Sequence, residues 1–395
     1  MMDFALEWVA LFMLSLFMND LSSDSGMVSH EDTTLNFTEL AIKYGQTCEE
    51  HDVITEDGYI LKLFHIPGDK TRPVLLISGN MGSADEYIVR GNTSLAIALA
   101  KANYDVWGGN VRGCKYSRRH LTLDPDVDDG FWDFSFHEYG IYDMPAFIDY
   151  ILTDTEQKQV NVIGFSIGTT VFYILGSERP EYNEKVKIKI SLAPAAYLSH
   201  SVSVSAVSVF APIINRFLLR AGQEELYSEN STTIRLIRRV CSTPLSAYVC
   251  LILFFFPICG YDSKGIEPDF APIAIAHYPT SVSRKNLLHL SQVANSKRFP
   301  KFDYGVEENI ARYGSESPPN YNLTAVTMKV ALISGKNDLI STLPDVKLLK
   351  AKLPNVVDHI ILKPKRFNHI DFTWGKNNHK VLFPHIFELL ESQHV

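Results

Sequence analysis

Residues 159–176 read QVNVIGFSIGTTVFYILG, and this stretch decides the fold. Its first five residues, Gln159 to Ile163, read as a strand, and residues 169–176 have helical character. Between them stands Gly164-Phe165-Ser166-Ile167-Gly168, a G-x-S-x-G pentapeptide. Set between a strand and a helix, the pattern has a physical reading. The serine occupies a sharp, strained turn that lifts its hydroxyl clear of the sheet. Glycines two residues to either side let strand and helix pack closely. The next backbone N–H, that of Ile167, can then point at an oxyanion. The bland alternative is a glycine-rich turn holding a structural serine.

The pattern around this turn repeats. Residues 52–66 read as a β-hairpin turning at Asp57-Gly58. Residues 74–78 are a continuous apolar run of the kind buried on both faces of a parallel sheet. A helix is expected over 95–102, a strand over 104–107, a helix over 139–152 and a strand over 186–192. After a long interval come a strand over 328–334, a helix over 344–352, a strand over 356–362 and a closing helix over 380–393. The alternation predicts the α/β class, with a mostly parallel, doubly wound sheet covered by helices on both faces. The interval 199–327 breaks the rhythm. It is mostly helical in pattern and apolar in places, which predicts an insertion above the sheet. Its run LSAYVCLILFFFPI, residues 245–258, is short for a bilayer span and carries Tyr248 and Pro257, so a buried or lipid-facing helix is the better reading.

A serine hydroxyl is a poor nucleophile without a base, and the base needs an orienting carboxylate. Asp338 lies just past the strand at 328–334, and His369 lies past the strand at 356–362. Both positions fall at the carboxyl ends of strands, where sites gather in open α/β sheets. The chain has 13 histidines, so rivals must be weighed. His277 and His289 lie in the interval, His65 in the early hairpin, and His379 and His385 near the closing helix. Asp345 and Asp371 compete with Asp338. A second oxyanion donor should come from the loop after residues 74–78, with the N–H of Asn80 or Met81 as candidate.

The net charge of −8 argues against nucleic acid as a partner, and any lipid contact should be apolar. The apolar run WVALFMLSLFM, residues 8–18, has signal-peptide length, with a cleavage zone near residue 22. An amphipathic N-terminal helix is the alternative, since the segment before the run carries Asp3 and Glu7 and no basic residue. Sequons at Asn36, Asn92, Asn230 and Asn322 favour a lumenal or extracellular protein. Of the five cysteines, Cys241 and Cys250 are close enough for a local bridge, and buried thiols are the alternative. No Cys/His spacing suggests zinc, and no metal or cofactor is expected.

Several further blocks resemble the acid lipase family, which includes gastric lipase, lysosomal acid lipase and insect homologues. They are EHDVITEDGYI (residues 50–60), NYDVWGGNVRG (103–113), SRRH (117–120), FWDFSFHE (131–138), Tyr142-Asp143, LAP (192–194), Pro318-Pro319 and Tyr321-Asn322. The resemblance runs from about residue 44 to the C-terminus. It implies an α/β-hydrolase core (30–198 and 328–395) with a cap or lid (199–327), following a signal peptide (1–22). It implies hydrolysis of neutral lipid esters at an oil–water interface by a Ser166–His369–Asp338 triad, with oxyanion donors on the backbones of Asn80 and Ile167. It also implies a Cys241–Cys250 disulfide, a free Cys259, and either a secreted or a lysosomal location. The family usually carries His and Gln beside the serine, where this chain has Phe165 and Ile167. It usually has His-Gly-Leu where this chain has Ser78-Gly79-Asn80, and Cys114 stands at a position that is usually polar. Those differences leave a lipid-binding homologue with weakened catalysis, or an esterase for small esters, as alternatives.

Overall fold

The computed structural model describes residues 30–392, so the segment read as a signal peptide lies outside the described residues. Eight strands form one sheet: β1 (Glu49–Ile54), β2 (Ile60–Ile66), β3 (Asp69–Ile77), β4 (Tyr104–Gly109), β5 (Val160–Phe165), β6 (Val186–Leu192), β9 (Val330–Ser334) and β10 (Val356–Ile361). A separate pair, β7 (Glu225–Leu226) with β8 (Val282–Ser283), lies in the interval. The order across the large sheet is β1-β2-β4-β3-β5-β6-β9-β10. β2 pairs antiparallel with both β1 and β4, and every other neighbour is parallel.

The continuous apolar runs have a direct cause. Val74 and Leu76 of β3 enter the core on one face, while Leu75 and Ile77 enter the core on the other. Ala331 and Ile333 of β9 divide from Val330 and Leu332 in the same way. A strand covered by helices on both sides has no solvent face, so both of its registers must be apolar.

The expected single helix over 380–393 is two helices, Asn378–Val381 and Phe383–Glu391. Pro384 is the reason. It has no N–H for the carbonyl of residue 380 and its ring crowds that carbonyl, so it begins a helix instead of continuing one. The run 245–258 folds as Pro244–Cys250, a π-helical stretch Leu251–Phe255 and Phe256–Cys259. No single helix among the described residues is long and apolar enough to cross a membrane. The bent pair Val202–Ser208 and Ala211–Arg220 together has the length and composition.

Strand β6 buries a lysine. Lys189 is 0% exposed, its Nζ makes no hydrogen bond, and it lies 2.8 Å from the centre of the Tyr173 ring. Burial pushes this amine well below its ordinary value. Lys189→Met keeps the stem and removes the polar nitrogen. We expect it to stabilise the fold by roughly 1–3 kcal/mol, read as a higher midpoint of urea unfolding. A lower midpoint would show that the amine contributes through the ring.

Candidate active site

The elbow read from the sequence is present, tighter than its flanks suggested. β5 runs through Phe165 and the helix Ile167–Glu178 starts immediately after, so Ser166 alone connects them. Its backbone has φ 52° and ψ −117°, a strained conformation for a residue with a Cβ. Both glycines are sterically required. A Cβ on Gly164 would overlap the carbonyl of Gly168, and one on Gly168 would overlap the carbonyl of Ile77.

Ser166 Oγ is 2.9 Å from His369 Nε2, and His369 Nδ1 is 2.9 Å from Asp338 Oδ2. A carboxylate only accepts, so the proton of the neutral ring sits on Nδ1 and Nε2 is left to accept from the serine hydroxyl. The other oxygen of Asp338 accepts the N–H groups of Ile340 at 2.9 Å and Ser341 at 2.7 Å. These bonds hold the carboxylate in position beside the imidazole. Asp338 and His369 are each 5% exposed.

Sequence reasoning missed the tie between His369 and the Asp338 loop. Cys259 is a free, buried cysteine, and its carbonyl accepts the N–H of His369 at 3.1 Å and of Leu339 at 3.4 Å. The next residue, Gly260, has φ +107°, and a Cβ there would overlap the carbonyl of Asn337. Asn368 Nδ2 donates to the Gly260 carbonyl at 2.6 Å. The end of the helix Phe256–Cys259 is thus stitched to both loops. A lone Cys-Gly pair far upstream carries no signal for this.

The loop after β3 passes over the serine. A Cβ on Gly79 would lie 3.0 Å from the Phe165 ring and 3.6 Å from Ser166 Cβ. The loop is braced from several sides. Gly79 N–H donates to Glu86 Oε2 at 2.9 Å, and Asn80 Oδ1 accepts from Asn286 Nδ2 at 2.8 Å. Thr280 N–H donates to the carbonyl of Met81 at 2.8 Å. Met81 has φ +58°. Ile167 opens its helix, so its N–H has no acceptor within that helix.

Phe165 packs against His369, with ring centres 5.0 Å apart. The rival histidines are engaged elsewhere. His289 is buried between Ser135 Oγ and the Pro300 carbonyl, and burial lowers it to about 3. His277 spans Asp85 and the Asp32 carbonyl, and His65 meets Asp105. His379 and His385 lie on the two closing helices. Asp345 pairs with His200. Asp371 accepts the N–H of Asn368 and leaves Oδ1 unpartnered.

Cys241 and Cys250 are joined in a disulfide, whereas Cys48, Cys114 and Cys259 are free. Cys114 is buried, and its thiol donates to Asn110 Oδ1 at 3.9 Å. Asn92, Asn230 and Asn322 are exposed, while Asn36 is half-buried and caps the helix Phe37–Lys43.

Two buried carboxyls near the site imply a pH dependence. Burial pushes Glu86 and Asp371 each up to about 8. Their ordinary values are 4.5 and 3.8. Between those limits the folded chain holds protons that the unfolded chain has released. Their contribution is therefore complete below about pH 4, shrinks as pH rises and is gone above about pH 8. The melting temperature should fall from pH 5 to pH 8, and Glu86→Gln with Asp371→Asn should flatten that slope. A slope unchanged in the double variant would assign it to other groups.

Known proteins are similar throughout. Residues 72–213 match the family model for the alpha/beta hydrolase fold, and residues 37–91 match a partial alpha/beta-hydrolase lipase region. Lipase 1 of Drosophila melanogaster is 36% identical over 361 residues, covering 91% of this chain and 80% of that protein. Gastric triacylglycerol lipase of Homo sapiens is 34% identical over 400 residues, covering 98% and 99%. Among solved structures, a membrane phospholipase A described as a bacterial virulence factor matches with TM-score 0.51 and 12% identity, over 100% of this chain and 99% of that one. That last likeness speaks to the fold alone.

Proposed function

Because the chain belongs to the lipase family of α/β-hydrolases that includes gastric triacylglycerol lipase, we propose that it hydrolyses the ester bonds of neutral lipids, triacylglycerols first and sterol esters as a further class, through Ser166, His369 and Asp338. The observation that carries this reading is the unbroken hydrogen-bond relay from the Ser166 hydroxyl through His369 to Asp338, at 2.9 Å for each link. His369 takes the hydroxyl proton as Ser166 Oγ attacks the ester carbonyl, then passes it to the leaving alcohol. Asp338 holds the tautomer and stabilises the imidazolium. The N–H groups of Asn80 and Ile167 receive the oxyanion, a contribution of about 3–4 kcal/mol per donor in related chemistry. Water activated by His369 then releases the acid. These steps use only side chains, backbone and water.

Residues 199–327 form the cap in this reading. Phe210, Ile213, Phe217, Leu253 and Phe254 are exposed apolar side chains within it, and they suit an oil–water interface. The four sequons, three of them exposed, support passage through a glycosylating compartment, with secretion favoured over the lysosome. An endoglycosidase shift in gel mobility tests that part.

A fluorophosphonate probe, followed by peptide mapping, tests the reaction. Labelling at Ser166 is expected, and an unlabelled native protein would leave only a lipid-binding role. A series of acyl esters of rising chain length, dissolved and emulsified, tests the substrate. Activity confined to short, dissolved esters would replace the lipase reading with that of a small-ester esterase.

A further inference from the structure

The edge hairpin carries a donor set that the ester chemistry does not use. In the β1–β2 pairing, Glu49 stands directly opposite His65, and His51 lies two residues along β1 from Glu49. Strand periodicity places all three on one face. Their donor atoms lie within 4.8 Å of one another. His51 Nε2 is 3.4 Å from Glu49 Oε2, and His65 Nδ1 is 3.3 Å from the same oxygen.

The two separations from Glu49 Oε2 match the edge of a coordination tetrahedron. With zinc–nitrogen bonds of 2.0–2.1 Å, the edge of a tetrahedron is about 3.3–3.4 Å. The outer ring nitrogens are already committed. His65 Nε2 is 2.7 Å from Asp105 Oδ1, and the other oxygen of that buried carboxylate accepts the indole N–H of Trp107 at 2.6 Å. The His65 ring stacks on Trp107, with centres 3.7 Å apart and an interplanar angle of 5°. His51 Nδ1 is 2.9 Å from the Tyr150 hydroxyl. A proton on Nε2 of His65, donated to Asp105, leaves the Nδ1 lone pair facing Glu49. A proton on Nδ1 of His51, donated to Tyr150, does the same for Nε2. This is the outer-shell arrangement that orients metal-binding imidazoles. His51 Nε2 is a buried atom with no hydrogen-bond partner, which is a costly state unless something else occupies it.

We propose that Glu49, His51 and His65 form a site for one divalent transition-metal ion, zinc by donor set and geometry. Two imidazoles and one carboxylate favour zinc over magnesium or calcium, which take oxygen donors. Glu49 is exposed, so water completes the shell. β4 and β3 separate the hairpin from β5, which places the ion outside the ester-cleaving chemistry. Its effect is to tie edge strand β1 to β2. The competing arrangement is metal-free: a His65 imidazolium bridging Glu49 and Asp105.

The test is titration of tag-free, chelator-stripped full-length protein with zinc chloride by calorimetry, alongside cobalt(II) absorption spectra. One zinc per chain is expected, with tetrahedral cobalt bands and a rise in melting temperature that depends on zinc. Glu49→Gln and His51→Gln should abolish all three signals while ester hydrolysis stays at the wild-type level, which also reports that the variants fold. Tyr150→Phe should weaken zinc binding by roughly 10–100-fold. Less than one equivalent bound, or binding and bands unchanged in both variants, would overturn the site and leave the imidazolium bridge.

Discussion

Ser166→Ala is expected to lower kcat for ester hydrolysis by roughly 10⁵–10⁶-fold while leaving the circular dichroism spectrum intact. In the proposed reaction this hydroxyl is the attacking group, and His369 Nε2 lies 2.9 Å from it. His369→Ala should cost about as much, and the double variant little more, because nucleophile and base act as one unit. Asp338→Asn should cost about 10⁴-fold, since an amide donating toward Nδ1 selects the wrong tautomer. Activity within about one order of magnitude of wild type in Ser166→Ala would remove the serine from the reaction, because no substitute nucleophile in such an elbow recovers that much. A companion variant separates strain from chemistry. Ser166→Gly removes the hydroxyl and also the left-handed strain at φ 52°. It should be as inactive as Ser166→Ala and more stable than it by about 1 kcal/mol.

Gly168→Ala should have the next largest effect, and it acts on the oxyanion site. The new methyl would overlap the Ile77 carbonyl oxygen and come within 2.6 Å of the Ser78 carbonyl oxygen. Both belong to backbone that leads into the Asn80 loop, so nothing flexible can give way. The helix starting at Ile167 and the loop carrying Asn80 must separate, and the two proposed oxyanion donors with them. A displacement near 1 Å in such a constellation costs about 100-fold in rate, and overpacking of this kind costs about 1–3 kcal/mol in stability. Activity on a soluble ester and the urea midpoint should therefore fall together. Gly130→Ala, where a Cβ meets nothing within 4 Å, serves as the control. A Gly168→Ala enzyme of wild-type activity would mean that the donors lie elsewhere.

Much of this was legible in residues 159–176. A strand, a turn at the serine and a helix are dictated by neighbours a few positions apart: a short β-branched stretch, a serine between two glycines, then a helical run. The positions of Asp338 and His369 followed from the same local logic, since each is a polar residue just past an apolar strand. The closing helix departs from the apolar periodicity because Pro384 divides it into two, a break that is itself local.

Other features have no local signature. The reversed strand β2 between β1 and β4, the Cys259 carbonyl that ties His369 to Leu339 beside Asp338, the Glu86 carboxyl on the Gly79 N–H, and the Phe165 ring against His369 all depend on contacts with no local signature. The trio Glu49, His51 and His65 matches no metal-binding spacing, because hairpin pairing rather than sequence separation brings its third member across. The chain by itself determined most of the elements, the elbow, and the placing of Asp338 and His369 past strands, since these rest on backbone periodicity and turn sterics within a few residues. Only the tertiary structure decided what braces the serine, what packs on His369 and which donors of the edge hairpin converge, since burial and pairing are set by contacts made after the strands have found their order.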